Sequence, residues 1–108
     1  MPNLYKIGIK VEPSGNIVFD PADLTVFAGD QISWTNFDSV PHLPGALNTD
    51  GSCVGLVDRS VAGNGGVSTT FSPSPQFDVN NNQTPYSLNV ACCDNPAITG
   101  KINVQPTP

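Results

Sequence analysis

The stretch VFAGDQISWTNFDSVPH, from Val26 to His42, decides the fold of this chain. Gly29, followed by an Asp, predicts a turn, because Gly reaches the backbone conformations that tight turns require. A strand follows in which Ile32 and Trp34 share one face, since side chains alternate between the two faces of a strand. We expect Trp34 to be buried in the core, so this strand lies with one face against another layer.

The same stretch ends on the single His of the chain, His42, in a loop directly after Pro41. Proline fixes its own φ and restricts the residue before it, so the backbone that carries His42 is stiff. A stiff approach suits a metal ligand. The other interpretation is an ordinary surface or hydrogen-bonded His, which a lone His usually is.

Outside this stretch, short apolar segments alternate with turn residues. The 108 residues include 11 Pro and 10 Gly, a density that interrupts helices and favours turns between short strands. The segment LYKIGIKV places Tyr5, Ile7 and Ile9 on one face, with the period of two that strands have. Such segments predict about seven to eight strands in one all-β sandwich domain over residues 1–108. Residues 72–85, SPSPQFDVNNNQTP, are polar and Pro-rich and predict a long surface loop.

The charge of the chain argues against two classes of partner. It has four basic and nine acidic residues, for a formal charge of −5. Nucleic-acid binding requires Lys and Arg that displace counterions from phosphates, so we expect neither nucleic acid nor an anionic membrane surface as a partner. No segment has the ~20 apolar residues of a membrane span. Residues 1–11 lack the apolar run of a signal peptide.

Three cysteines, Cys53, Cys92 and Cys93, leave at least one thiol outside any internal pairing. A bridge between Cys92 and Cys93 would strain the peptide between them, so Cys53 is the expected partner of one or the other. In the segment YSLNVAC, the apolar residues share a face with Cys92. This parity predicts that Cys92 points into the core and Cys93 points outward or into the loop. As a buried residue, Cys92 can also be simply a small apolar side chain.

Together these features resemble the cupredoxin family, of the plastocyanin, amicyanin and pseudoazurin type. The pattern V-x-x-G-D-x-[I/V]-x-W-x-N-x-D-x-x-P-H of its first ligand region is matched from Val26 to His42. The segments FDPADLTV, VSTTFSPS and Y…C…G-K-[I/V]-x-V are also similar, so the resemblance spans roughly residues 16–104 and is weak between 43 and 66. It implies a Greek-key β-sandwich with a mononuclear copper at one end.

The copper ligands that the resemblance implies are one His from this first region, then Cys, His and Met from the last loop. In ACCDNPAITG, an amicyanin-like spacing anchored at Gly100 places Cys92, Asn95 and Ile98 at the Cys, His and Met positions. Two of four ligands, His42 and Cys92, are therefore kept. Blue copper depends on two imidazoles and one thiolate in a plane, with a weak axial ligand, so the second His is the more serious loss.

A metal at this site needs a third strong donor. Cys93, Cys53 and Asp94 are all candidates, and the sequence does not choose among them. Asn95 offers an amide oxygen, a hard ligand that matches soft copper poorly. The metal ligands expected from the sequence are His42, Cys92, Cys93 and Asn95.

The segment after His42 departs from the family. Where the resemblance implies a continuing strand, LPGALNTDGSC introduces one Pro and two Gly, so we expect an insert that rebuilds this wall of the site. The simplest account is that the insert brings Cys53 to the corner at Cys92 and Cys93. A disulfide there would staple the end of the sandwich where copper would otherwise sit.

Two functions follow from the resemblance. The first is a copper-binding electron carrier with an altered ligand set and a redox protein as its partner. The second is a cupredoxin-fold binding or accessory module that has lost copper and carries a disulfide from Cys53 to Cys92 or Cys93. A thiol enzyme that uses Cys92 or Cys93 with His42 needs an orienting partner and an exposed thiolate, and neither is evident, so we expect no enzyme. By resemblance we also expect a monomer in the periplasm or outside the cell.

Overall fold

Eleven strands make up the computed structural model, which describes residues 2–108. In chain order they are β1 Leu4–Val11, β2 Ile17–Asp20, β3 Asp23–Phe27, β4 Gln31–Asn36, β5 Pro44–Leu47, β6 Cys53–Gly55, β7 Gly66–Val67, β8 Gln76–Phe77, β9 Gln83–Thr84, β10 Tyr86–Cys92 and β11 Asn95–Gln105. The predicted all-β class is confirmed. The strand count exceeds the prediction because β7, β8 and β9 have two residues each, too few to show a period. Nothing within residues 2–108 qualifies as a membrane-crossing helix.

Two sheets pack together as a sandwich. The first has the strand order β2-β1-β4-β7, and the second has the order β3-β11-β10-β5-β6. Most neighbours are antiparallel, but β1 runs parallel to β4 and β11 runs parallel to β3. Strands distant in sequence therefore lie side by side, as in a Greek key. The predicted sandwich is confirmed.

The core lies between the two sheets and receives side chains from both. Ile7, Ile9 and Trp34 come from the first sheet and Val90 and Ile102 from the second, and none is more than 2% exposed. Burying an aliphatic side chain of this size contributes roughly 1.5–3 kcal/mol. The burial of Trp34, predicted from the alternation in β4, is confirmed.

A two-residue turn, Cys93 and Asp94, joins β10 to β11 at one end of the sandwich. Cys92 on β10 pairs directly with Asn95 on β11, and residues 96–98 then bulge out of the ladder before regular pairing resumes. Cys92 is fully buried, as its parity in the strand predicted. The tight turn places the side chain of Asp94 at the same end of the sandwich as Cys92.

Residues 44–55 form a hairpin. The expectation that an insert replaces the strand after His42 is therefore wrong. β5 pairs with β10 on one side and with β6 on the other. Pro44 is tolerated because it is the first residue of β5, a position where strands accept Pro. Gly51 turns the chain with a φ of +90°. The strand that the resemblance implies after His42 is present, and β6 is added outside it.

A disulfide between Cys53 on β6 and Cys93 in the turn crosses β5. Gly45 on β5 lies under it, because a Cβ there would overlap the Cys93 sulfur and lie 3.0 Å from the Cys53 sulfur. The disulfide that we expected from Cys53 is confirmed, and its partner is Cys93. Cys92 faces the core from the opposite side of its strand, so the bridge does not occupy it.

Residues 72–85 are not a simple loop as predicted, because they contain the hairpin of β8 and β9. The carboxylate of Asp78 accepts hydrogen bonds from the backbone N–H groups of Asn80 and Asn82, both at 2.9 Å. Such local bonds from an Asp side chain stabilise a turn without needing an apolar pattern. The sequence pattern therefore did not reveal this hairpin.

Candidate metal centre

His42 lies in the connection between β4 and β5 and is only 3% exposed. Its backbone is tied to Val61 in both directions: the His42 N–H donates to the Val61 carbonyl at 3.1 Å, and the Val61 N–H donates to the His42 carbonyl at 2.7 Å. Pro41 restricts the chain immediately before it. The imidazole therefore projects from a fixed backbone, as the sequence predicted.

Both ring nitrogens of His42 face carboxylates. Nε2 lies 2.8 Å from Oδ2 of Asp38, and Nδ1 lies 2.7 Å from Oδ2 of Asp94. A ring that carries both protons donates to both carboxylates, whereas a neutral ring has one proton to donate. The hydrogen bond with His42 lowers the pKa of Asp38, and the N–H of Ser39 lowers it further, against the opposing effect of burial.

Cys92 is the thiol that the disulfide leaves free. Burial raises the pKa of its thiol to about 12, and the negative charges of Asp94 and Asp38 add to the rise. At neutral pH this side chain is therefore a protonated thiol. A metal that binds its sulfur has to displace the proton, because the thiolate is the form that coordinates metals.

The ligand atoms of His42, Cys92 and Asp94 lie within 4.8 Å of one another. Bonds of about 2.0–2.3 Å from a metal to nitrogen, oxygen or sulfur place three donors that share one ion about 3.3–4 Å from one another. The widest separation in this cluster would therefore have to shorten by up to about 1 Å for all three donors to bind one ion. The Leu43 N–H holds the second oxygen of Asp94 at 2.8 Å, so this carboxylate already faces the cluster.

Comparison with known proteins agrees with this architecture. No protein-family model matches the chain. Chloroplastic plastocyanin of Tetradesmus obliquus is 40% identical over 45 residues, which cover 34% of this chain and 31% of that protein. A purple cupredoxin from Nitrosopumilus maritimus matches 94% of this chain and 99% of its own, with a TM-score of 0.67 and 20% identity. Amicyanin from Paracoccus versutus matches 94% of this chain and 80% of its own, with a TM-score of 0.63 and 15% identity.

The protein has a cupredoxin-like fold. The likeness to the solved structures, at 20% identity or less, is a likeness of fold, and the matched segment covers about a third of plastocyanin. What the site can do therefore has to be argued from its own residues.

Of the ligands expected from the sequence, this cupredoxin-like structure brings His42 and Cys92 together. Cys93 has its sulfur in the disulfide, so it has no thiolate to offer. Asn95 is exposed at the surface, and its side-chain oxygen accepts a hydrogen bond from the Ala97 N–H at 3.4 Å. The amicyanin-like spacing assumes an open loop, but the chain reverses within two residues and carries Asn95 back beside the backbone of Cys92.

The structure also distinguishes the candidates for the third donor. Cys53 and Cys93 are bonded to each other, and Asp94 is the residue that joins His42 and Cys92. Asp38 was not recognised from the sequence. A signal for it existed, since the second D of the pattern matched from Val26 to His42 falls on Asp38, four residues before His42 within one short loop.

The geometry bears on the thiol-enzyme interpretation in two ways. The orienting partner that was not evident in the sequence does exist, because Asp38 and Asp94 both hydrogen bond to His42. The second requirement fails, because Cys92 is fully buried and the pKa of its thiol is raised to about 12. A nucleophilic cysteine needs a lowered pKa and access to substrate, so Cys92 is poorly suited to that role.

Proposed function

We propose that the protein binds one copper ion through His42, Cys92 and Asp94 and carries electrons to or from a redox protein. The observation that carries this proposal is the convergence of these three donor atoms, within 4.8 Å of one another, at one end of a cupredoxin-like sandwich. The residues concerned come from separate parts of the chain, 42 and 92–94, so their meeting is a property of the fold.

The donor set fits copper in its chemistry. The thiolate of Cys92 is a soft ligand and the imidazole of His42 suits both copper oxidation states. The carboxylate of Asp94 is harder and takes the place that the second imidazole has in a blue site. Together the thiolate and the carboxylate bring two negative charges, which offset the charge of a divalent ion. When bound, copper would supply a one-electron couple, and the protein residues would hold it and exclude water.

The disulfide supports the remaining parts of the proposal. Disulfides persist in oxidising compartments, so the bridge between Cys53 and Cys93 fits a protein of the periplasm or the cell exterior. A ligand set in which His42 and Cys92 are buried, without a reactive thiol, fits an electron carrier better than an enzyme. We further propose that the chain acts as a single-domain monomer.

A second candidate function, a binding module that has lost copper, is favoured by one specific observation. The Nδ1 atom of His42 already has a partner, Asp94, at 2.7 Å, so the cluster is satisfied without a metal. The raised pKa of the Cys92 thiol, about 12, points the same way, because metal binding must overcome it. Copper has to replace a hydrogen bond and a thiol proton before it gains any net affinity.

Copper titration of the protein with its disulfide intact separates the two functions. We expect one equivalent of copper to be retained against a weak chelator, in both oxidation states. Cys92→Ala and Asp94→Ala should each lose most of this affinity. Asp50→Ala, which removes an exposed carboxylate from the turn between β5 and β6, is the matched control and should bind as the wild type does. No retained copper, or full retention by Cys92→Ala, would favour the module that has lost copper.

A further inference from the structure

We infer that Cys53 and Cys93 are positioning residues for the metal centre: their disulfide holds the turn that carries Asp94, so the centre binds a metal tightly only once the bridge has formed. This inference rests on the metal site proposed above. The observation behind it is the place of Cys93 in the chain. It lies between Cys92 and Asp94, two of the three proposed ligands, and its sulfur is bonded to a cysteine of β6.

The turn receives little support from β11. Cys92 pairs with Asn95, but the next residue of β11 to pair with β10 is Thr99, so residues 96–98 bulge out of the ladder. Residues 95–97 are all exposed and bury little surface against the core. The position of the turn therefore has to be fixed mainly from the opposite side, where β5 and β6 lie.

The contacts on that side are two hydrogen bonds and the bridge. The Cys93 N–H donates to the Leu43 carbonyl at 2.7 Å, and the Leu43 N–H donates to Oδ1 of Asp94 at 2.8 Å. Both hydrogen bonds go to the single residue that precedes β5. The disulfide reaches one strand further, to Cys53 on β6, and is the one covalent link among these contacts.

The direction of the Asp94 carboxylate depends on the backbone of this turn. Its side chain is 40% exposed, so it is not packed into place by neighbouring side chains. Its donor atom lies in a cluster whose members are already up to 4.8 Å apart. An outward movement of the turn would carry this carboxylate out of reach of an ion bound to His42 and Cys92. A fixed turn is therefore a condition for a three-donor site.

The local structure accommodates the bridge without disturbing the ligands. A Cβ on Gly45 of β5 would overlap the Cys93 sulfur and lie 3.0 Å from the Cys53 sulfur. The φ of Gly45 is not in the left-handed region, so this position needs Gly for space and not for backbone conformation. Cys92 is fully buried on the opposite side of its strand, so its sulfur remains free for a metal after the bridge forms.

These contacts imply an order of events. A disulfide donor oxidises the thiols of Cys53 and Cys93 and is itself reduced to a dithiol, so two electrons and two protons pass from the protein to the donor. This step belongs to an oxidising compartment, where disulfides form and persist. The turn then has its fixed position, and metal uptake follows.

The first part of the test needs no metal. Cys53→Ser together with Cys93→Ser, called the Ser pair below, opens the bridge without adding a thiol ligand. In ¹⁵N relaxation measurements the backbone amide of Asp94 should show a rigid order parameter of about 0.85 in wild type and fall toward about 0.6 in the Ser pair. The amide of Asn81, in the turn of the β8–β9 hairpin, is the control and should not change. Equal order parameters for Asp94 in the two proteins would overturn the inference.

The second part uses Zn(II) as a probe, because imidazole, thiolate and carboxylate all bind it and it has no redox chemistry. Loss of a group that orients a metal ligand typically costs about 10–100-fold in affinity, and we expect a loss of this size in the Ser pair. In an Asp94→Ala background the same opening of the bridge should cost little, because the bridge acts through Asp94. A purely structural role of the bridge would give equal losses in both backgrounds, and that result would contradict the inference.

Three variants that keep the bridge make the test independent of whether the Ser pair folds. Gly45→Ala pushes on the Cys93 sulfur and should lower the Zn(II) affinity. Gly55→Ala, on the paired position of β6, is the matched control, because its methyl would lie 3.4 Å from the Leu43 side chain, an ordinary contact. Pro96→Gly loosens the exposed β11 side of the turn and should leave the affinity unchanged. A loss in Pro96→Gly, or none in Gly45→Ala, would show that the bridge does not position the turn.

The two proposals fail in different ways. If wild-type protein binds neither Zn(II) nor copper, the metal function is wrong, while the relaxation comparison still decides whether the bridge holds Asp94 in place. If the metals bind and the Ser pair changes neither the order parameter nor the affinity, the metal function survives and the positioning role of the bridge does not.

Discussion

Alkaline pH should destabilise the metal-free protein through Cys92. The pKa of its thiol rises from 9.0 in the unfolded chain to about 12 in the folded protein, chiefly through burial. Between these values the unfolded chain has lost the proton and the folded protein keeps it. Unfolding is then favoured by deprotonation, so stability is fully present below pH 9 and falls as the pH rises toward 12.

The size of the effect follows from proton linkage. One proton held by the folded state and not by the unfolded state lowers the free energy of unfolding by about 1.4 kcal/mol for each pH unit. Other groups also titrate in this range, including Tyr86, whose pKa burial raises. The contribution of Cys92 is therefore the difference between wild type and Cys92→Ala, in which those other groups are unchanged.

Urea unfolding at several pH values between 9 and 11 measures this difference, with mass spectrometry to show that the disulfide stays intact. Cys92→Ala should be less stable than wild type at pH 8, because it leaves a small cavity in the core. Its stability should then fall less steeply as the pH rises, and the two curves should converge by about 1.4 kcal/mol per pH unit. Parallel curves for the two proteins would refute the reasoning, because they would mean that the Cys92 thiolate is as well accommodated in the fold as in water.

Three further predictions concern the turn and its disulfide. Asp94→His places a second imidazole beside His42 and Cys92, so this variant should develop an intense thiolate-to-Cu(II) absorption. Asn95→His should not, because the side chain at position 95 is exposed. Equal spectra from the two variants would show that the positions of residues 94 and 95 in the turn are wrong. Replacing the disulfide with Cys53→Ser and Cys93→Ser together should lower the free energy of unfolding by about 4 kcal/mol, since the bridge spans 40 residues, and an unchanged urea midpoint would contradict this. Gly45→Ala should cost about 1–3 kcal/mol in the same assay, because the new methyl overlaps the Cys93 sulfur and would lie 2.6 Å from the Val54 carbonyl oxygen. Reducing the bridge should relieve the overlap with the sulfur, so part of the loss should remain.

The sequence carried most of the fold because the relevant signals are local. The alternation around Trp34 in β4 and the parity of Cys92 in β10 each depend on a few neighbouring residues, and both residues are fully buried in the structure. Apolar residues two apart must face the same side of a strand. The outward direction of Cys93 follows from the same rule, and with it the side from which the disulfide forms.

The third metal donor could not be identified from local sequence patterns. Cys53, Cys93 and Asp94 were equal candidates in the sequence, and the choice depended on a pairing between residues 40 positions apart. Asn95 was assigned by counting along a loop that was taken to be open. The close pairing of β10 and β11 reverses the chain earlier, so the same count leads to the surface.

By itself, the sequence determined the all-β class, the buried face of each main strand, and the two residues, His42 and Cys92, that reach the candidate centre from distant segments of the chain. Tertiary structure alone decided that Asp94 joins them and that the carboxylate of Asp38 hydrogen bonds to the His42 ring. The physical reason is one of range. Strand alternation is set by neighbouring residues, whereas the position of a carboxylate relative to a ring 52 residues away depends on sheet register and on which cysteines are bonded.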